Sequence, residues 1–489
     1  MPHSTPWPVS PRVLRVAVCA LLAAGCTPPA PHDSQGPDDP GDSADTGPVE
    51  PFYQDIAFVE SAIVPSVVTA TWRTLEPASC TLTFGVEGGR VLTTVERGEP
   101  AAEHEVALVG LPPGSAATLV IGAETAAGSE ESEPIPFSTG PLPTGVPTVE
   151  LTVSSPADAF EGFTLVPIAY SRGDSWITIL DADGTVVWAY PARQGAHRAR
   201  LAPDGLGILY ADRDSDPDNP EADMYGAVYS IAWDGTERWR WADIDAHHDF
   251  VILGDDRYAS FGYSRLRVDV GTPDERTYIG DTIIEFDSAG NSTVVWDVFD
   301  HFDPLTLPGN ARQAMPGNVW DWSHANYLTW EPDTESYLAC LRGLDAILAV
   351  DGADGGLLWS LSNTWGDYQS PDSEPILAWP HSVERVDGGL AIFNQTYEWL
   401  EGPCSHGAVL ALDAEAGTAT TTWSYANAEC ARLNYLGSNH PLPNGSFLVD
   451  FSLAGIMDEV TPGGVLAQRF ELGLDWSFGY AQRMASLTP

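Results

Sequence analysis

From residue 148 onward the chain runs in short alternating stretches of apolar and polar residues, each closed by Gly, Asp, Asn or Pro. Alternation of period two predicts half-buried strands, and the Asp-Gly, Ala-Gly and Gly-Gly pairs between them predict tight hairpins. Two units recur. The first opens on a histidine and runs strand, turn, strand: His197 in HRARLAPDGLGILY, His248 in HDFVILGDDRYASF, His324 in HANYLTWEPDTESYLACLR and His381 in HSVERVDGGLAIFNQ. His440 opens a shorter version, HPLPNGSFLVDF. The second is an apolar strand, a turn ending in Gly and a strand closing on an aromatic, at Trp188, Trp239, Trp296, Trp359, Trp423 and Phe470. Six closings predict six repeats, and short strands repeating at a fixed period are the pattern of a β-propeller. In such a ring the same position of every blade meets at one central channel, so histidines far apart in sequence converge.

The expected fold is all-β: a six-bladed propeller over residues 148–489, preceded by a small β-sandwich over 51–140. The last segment, FGYAQRMASL, has no unit after it and is expected to pair near GFTLVPIAY and close the ring. In the sandwich, VTATWRT and the later HEVALVGLPPGSAATLVIGAETAAG resemble a fibronectin type III domain, with Trp72 as its core tryptophan. Ala117 stands near the place of that fold's tyrosine corner. Residues 141–147 (PLPTGVP) read as a linker.

Composition adds a compartment. Arg12 and Arg15 precede an apolar run, Val16 to Ala24, too short to span a bilayer. It ends in Leu21-Leu22-Ala23-Ala24-Gly25-Cys26, which resembles a bacterial lipoprotein box with Cys26 as the lipidated residue. A plain secretory signal cut nearby is the alternative. Residues 1–26 are thus expected to be an export signal, and 27–50, rich in Pro, Asp, Ser and Gly, a disordered tether. Thr27 after the cysteine favours the outer membrane of a Gram-negative cell over the inner. Export permits disulfides, and Cys404 with Cys430, flanking one hairpin, is the best candidate pair; Cys340 reads as a buried thiol. The net charge of −47 excludes nucleic acid as a partner, there being no basic surface to neutralise phosphates. An acidic chain that binds an anion must concentrate its few cations locally.

The candidate chemistry lies at the histidine heads. Asn326 follows His324 by two residues on the same side of a strand, and the hairpin returns to Cys340-Leu341-Arg342. His247, His248 and His381 add imidazoles from neighbouring blades. Arg, Asn and His together form an oxyanion-binding set, and one histidine suits a nucleophile. Three histidines also suit a metal-dependent hydrolase, although Arg342 repels a cation. A ring that only binds a partner or glycan, its histidines bonding blade to blade, is the other alternative. A quinone-dependent dehydrogenase ranks last, since its repeats are more regular and eightfold.

The motifs HHDFVIL, DWSHANYL with CLRGLDAILAVD, WPHSVERVDGGLAIFN and HPLPNGSFLV resemble the bacterial arylsulfate sulfotransferases, exported six-bladed propellers with an N-terminal β domain. The resemblance implies transfer of a sulfuryl group from a phenolic sulfate ester to a phenolic acceptor, without the nucleotide donor and without cofactor or metal. It implies His381 as the transiently sulfated nucleophile, and His248, His324, Asn326 and Arg342 as the anion-holding residues. His247 and Asn394 are added as substrate-binding candidates. Contact with membrane is expected through the lipid anchor alone, and a homodimer is left open.

Overall fold

The computed structural model describes residues 51–487, apart from 171–172, 193–194, 214–225, 244, 270, 272–274, 308–311, 316–317, 373 and 397–402. The expected signal, Cys26 and the tether lie outside the described residues. The described chain is β-strand throughout, broken by three single-turn 3-10 segments at Val298–Asp300, Arg342–Leu344 and Ser452–Ala454. None of its helices is long and apolar enough to cross a membrane.

The chain divides into two compact units. Of the described residues, the first holds 51–62 with 68–108 and 116–138, and the second holds 63–67, 109–115 and those from 139 onward. In the first, the 19-residue strand Val68–Val86 alternates buried and exposed positions along most of its length. Its front half pairs with Tyr53–Glu60 and Ala101–Leu108. Its back half pairs with Val91–Val95 and Ala116–Thr125. Trp72, Cys80, Leu82, Leu119 and Ile121 form its buried face.

The second unit is a ring of six blades. Blades 2 to 6 each begin with an inner strand: Arg198–Leu201, Ala246–Gly254, Ala325–Glu331, Pro380–Val386 and Ser438–Pro441. Each of the first four packs against the inner strand of the next blade. Blade 1 takes its inner strands from the far end of the chain: Trp476–Phe478 and Gln482–Met484 both pair with Phe163–Tyr170. Val149–Ser154 in turn adds a fifth strand to blade 6 by pairing with Leu466–Leu472. Both ends of the unit are thus tied across the seam, which removes the open edges a row of unclosed blades would present.

Two features refine the sequence pattern. The middle strands Ser175–Leu180, Ser336–Leu341 and Gly389–Asn394 are buried at every position. Blades stack face to face, so a central strand has no solvent side and reads as a continuous apolar run rather than an alternation. All six outer hairpins carry a register shift of one residue at the same place. In blades 1 to 5 the closing tryptophan follows that bulge directly; in blade 6 Gln468 holds the equivalent position and Phe470 stands two residues on. A bulge sharpens local twist, and six at one level suit the strong twist of propeller blades.

Candidate active site

The inner strands enter the ring through strained backbone. His248, His324, Trp379 and Leu436, on four successive blades, have φ of 55°, 48°, 46° and 56°. Left-handed backbone costs a non-glycine residue roughly 1–2 kcal/mol, and such strain collects where side chains must be re-aimed. Bulges do the same work beside them. The ladder steps from His247 to Phe250 in blade 3, from Ala325 to Tyr327 in blade 4 and from Pro380 to Ser382 in blade 5. Asn326 and His381 are therefore the extra residues of their strands.

The histidines form a chain along the rim. The His197 and His248 rings are 6.3 Å apart by centroid, and His248 and His324 are 5.1 Å apart. His247 and His248 face each other through their Nδ1 atoms at 2.8 Å, while the His247 ring stacks on Tyr263 at 3.8 Å. His247 Nε2 lies 3.2 Å from the Asp281 carboxylate, an ion-pair separation without hydrogen-bond alignment. Asp281 is itself held by the Ser323 hydroxyl and by the Ala325 amide at 2.8 Å. His324 Nδ1 meets Asp321 Oδ2 at 2.5 Å. Asp321 comes from an insertion after blade 3, where Val319–Asp321 pairs in parallel with Arg276–Phe286. Burial alone would raise the Asp321 pKa, but His324, His247 and Arg342 outweigh it and hold it below the usual carboxylate range.

His381 is 2% exposed. Its Nδ1 lies 2.8 Å from the Tyr480 hydroxyl, which also reaches the Asn326 carbonyl at 2.9 Å. Asn326 Nδ2 donates to the Pro380 carbonyl at 3.2 Å, joining blades 4 and 5 beside His381. Arg342 starts the 3-10 turn after blade 4's second strand, and its amide donates to the His324 carbonyl at 3.1 Å. Its guanidinium lies 4.5 Å over the Trp379 ring, with Nε donating to Gln395 Oε1 at 3.1 Å. Asp345, closing the same turn, accepts from the Trp379 amide at 2.7 Å. Burial first, then the charges of Arg342 and His324, hold the His381 pKa well below the usual imidazole range; the backbone carbonyls of Gly437 and of His381 itself, which favour the protonated ring, oppose them. Burial and the surrounding histidines do the same to His248. Both imidazoles are neutral at neutral pH.

Beneath the rim lies a layer that the sequence reading missed. Arg198 donates to Asp249 through Nε and Nη2, both at 2.7 Å, with its guanidinium between the Tyr327 and Tyr480 rings at 4.4 and 4.2 Å. A signal existed: Arg198 follows His197 and Asp249 follows His248, so opposite charges stand at one repeat position of adjacent blades. His440 belongs to this lower level. It bonds Glu384 at 2.9 Å, and Tyr327 donates to the same carboxyl at 2.6 Å. The left-handed turn falls on His324 in blade 4 but on Trp379 in blade 5, so His381 shares the bulge position of Asn326 rather than the place of His324, and His440 stands three places further along its strand, level with Glu384. Asn394 is set behind the rim, its amide taken up by the Ala378 N–H and the Ile376 carbonyl, both at 3.0 Å. It braces the loop that leads to His381. Cys404 and Cys430 stand at disulfide distance, with Cα atoms 4.9 Å apart. Cys340 is fully buried, and burial raises its thiol pKa well above the ordinary value.

Beside the rim, Tyr170, His197, Tyr435, Leu436, Phe478 and Gly479 line much of a cavity of about 320 Å³. Among the described residues, one group of three ligand-type side chains has all its donor atoms within 4.8 Å of one another: Cys80, Glu96 and His104, in the first unit. There Glu96 and His104 are already hydrogen-bonded at 2.6 Å.

A neutral, buried imidazole beside a fixed guanidinium, among further imidazoles, suits the transfer of an anionic group. Residues 149–378 match the arylsulfotransferase (ASST) family model. That region belongs to the arylsulfotransferase family. The match spans blades 1 to 4 and ends just before His381. The family supports an arylsulfotransferase-like function, with a phenolic sulfate donor and a phenolic acceptor. No curated protein matches the chain in sequence. Among solved structures, a Bacteroides caccae protein of unknown function is 14% identical, covering 66% of this chain and 99% of its own, at a TM-score of 0.39. The hydrazine synthase of Kuenenia stuttgartiensis is 12% identical over 76% of this chain and 92% of its own, at 0.32. Apo AztD from Citrobacter koseri is 8% identical over 84% and 100%, at 0.34. At such scores these likenesses say nothing about function.

Proposed function

We propose that the arylsulfotransferase ring moves a sulfuryl group from a phenolic sulfate ester to a second phenol through a sulfo-histidine on His381. The observation that carries this reading is the state of His381: buried, neutral and electrostatically coupled to Arg342 and His324. Sulfuryl transfer resembles phosphoryl transfer, with charge spread over three equatorial oxygens, so the protein mainly positions groups and stabilises charge. The lone pair of one His381 ring nitrogen forms the N–S bond as the S–O bond to the donor phenol breaks. The departing phenolate takes a proton from the rim histidine His324, whose Nδ1 faces the Asp321 carboxylate at 2.5 Å. The acceptor phenol then returns its proton to that histidine, its oxygen attacks sulfur, and the N–S bond breaks. Arg342 and the rim imidazoles hold the nonbridging oxygens. Asn326 contributes by tying blade 4 to Pro380, next to the nucleophile. We further propose that the protein lies outside the cytoplasm, anchored through Cys26; the N-terminal sequence, read as an export signal, and the disulfide-distance pair Cys404–Cys430 support this.

The test uses the full chain in detergent with p-nitrophenyl sulfate, with and without a second phenol, beside His381→Ala and a chelator arm. Acceptor-dependent nitrophenol release, ping-pong in form, lost in the variant and indifferent to chelator, is the expected result. Release that a chelator abolishes would favour the hydrolase. No release across several aryl esters would leave a binding ring.

A further inference from the structure

We propose that Tyr480 is a positioning residue for His381, holding the imidazole with its hydrogen on Nδ1 so that Nε2 presents the lone pair. The proposal rests on the reading of His381 as nucleophile. Tyr480 is fully buried, and its hydroxyl stands 2.8 Å from His381 Nδ1 and 2.9 Å from the Asn326 carbonyl oxygen. A hydroxyl has one hydrogen to give. The carbonyl can only accept, and Asn326 sits at the bulge, where its strand leaves the ladder register. The tyrosine hydrogen therefore goes to Asn326, and the imidazole must donate from Nδ1 to the phenol oxygen. A histidine's reactive nitrogen is set by the bond its other nitrogen makes.

The tyrosine is itself fixed. Its ring lies 4.2 Å from the Arg198 guanidinium and stacks near the His381 ring at 5.6 Å. Its amide donates to the His197 carbonyl at 2.8 Å, and the Gly479 amide donates to Pro167 at 2.7 Å. A Cβ at Gly479 would stand 2.7 Å from the His197 carbonyl oxygen, so the chain can pass this close only as glycine. Tyr480 lies between the two C-terminal strands that complete blade 1. The segment that closes the ring thus also orients the group that reacts, and the histidine in blade 5 becomes competent only when blade 1 is complete.

The test is long-range proton–nitrogen NMR of the full-length protein carrying labelled histidine, with His381 assigned by its absence in His381→Ala. The resting protein should show Nδ1 protonated and Nε2 bare. Tyr480→Phe, which keeps the ring, should release that preference. It should also lower kcat by about 10- to 100-fold, the range seen when an orienting partner of a histidine is lost, with KM nearly unchanged. A proton on Nε2 in the resting protein would overturn the proposal. So would a Tyr480→Phe protein that keeps both the tautomer and kcat. If the variant does not fold, the resting tautomer decides alone. Should the protein turn over no aryl sulfate, the functional reading fails while the NMR still settles the tautomer.

Discussion

Replacing Asp249 with alanine should be among the most costly single changes at the ring. Its carboxylate is 1% exposed and joins three blades: Arg198 from blade 2, its own strand in blade 3 and the Leu328 amide of blade 4 at 3.0 Å. Arg200 Nη2 stands a further 3.6 Å away. Alanine leaves a buried guanidinium between two phenol rings with its counter-charge gone. Breaking such a pair from one side costs about 3–5 kcal/mol, and the unpaired Leu328 N–H adds about 1–3 kcal/mol. The exposed pair Arg385–Glu331 is the contrast, its arginine 40% exposed; truncating it should cost at most about 1 kcal/mol. Arg198→Met with Asp249→Ala should recover a large share, because the most deeply buried guanidinium is then no longer stranded and only the more distant Arg200 loses a counter-charge. Urea unfolding followed by tryptophan fluorescence measures these variants beside the Arg198→Met single and the parent. A loss below about 1 kcal/mol for Asp249→Ala, or a double variant at the sum of the singles, would refute the account of a charge pair coupled across blades.

Acidity should act through the two depressed histidines. The acid limb of the rate profile should fall below the free imidazole value of about 6.5, because His381 and His248 resist protonation. As pH drops through that value the unfolded chain takes up these protons and the folded chain does not. Stability therefore falls by up to about 1.4 kcal/mol per pH unit for each group until its folded pKa is reached. His381→Leu removes one such penalty, so its stability relative to the parent should rise between pH 7 and 5.5 in urea titrations. A Cys404–Cys430 disulfide would close a loop of sequence separation 26, and replacing both cysteines with serine should cost about 2–4 kcal/mol by the same assay. Thiol titration of the denatured, unreduced chain should leave Cys404 and Cys430 unreactive.

Much of the fold was legible because blades repeat. The closing aromatics at Trp188, Trp239, Trp296, Trp359 and Trp423 mark five outer hairpins in register, and the segment after Phe470 pairs with Phe163–Tyr170. His248, His324 and His381 stood out as heads of units, and Arg342 as the return of a hairpin. The same regularity misled at His440, where a shortened unit moves the histidine three places down the strand to Glu384. Asn394 sits in a plausible strand-end position, yet its amide serves the backbone of Ile376 and Ala378.

The amino-acid sequence by itself determined the strand period, the number of blades and the residue types at each blade's head, because these depend on local alternation, turn chemistry and repetition. Tertiary structure alone decided which partners those heads meet. Asp281 and Tyr480 are distant in the chain from His247 and His381, so no spacing announces them, whereas Asp321 stands only three residues before His324. Left-handed backbone at His248 and His324, and bulges at Asn326 and His381, aim the side chains by angles that composition does not encode. The protonation state of His381 follows from burial and from the Arg342 charge, both of which exist only once the ring is closed.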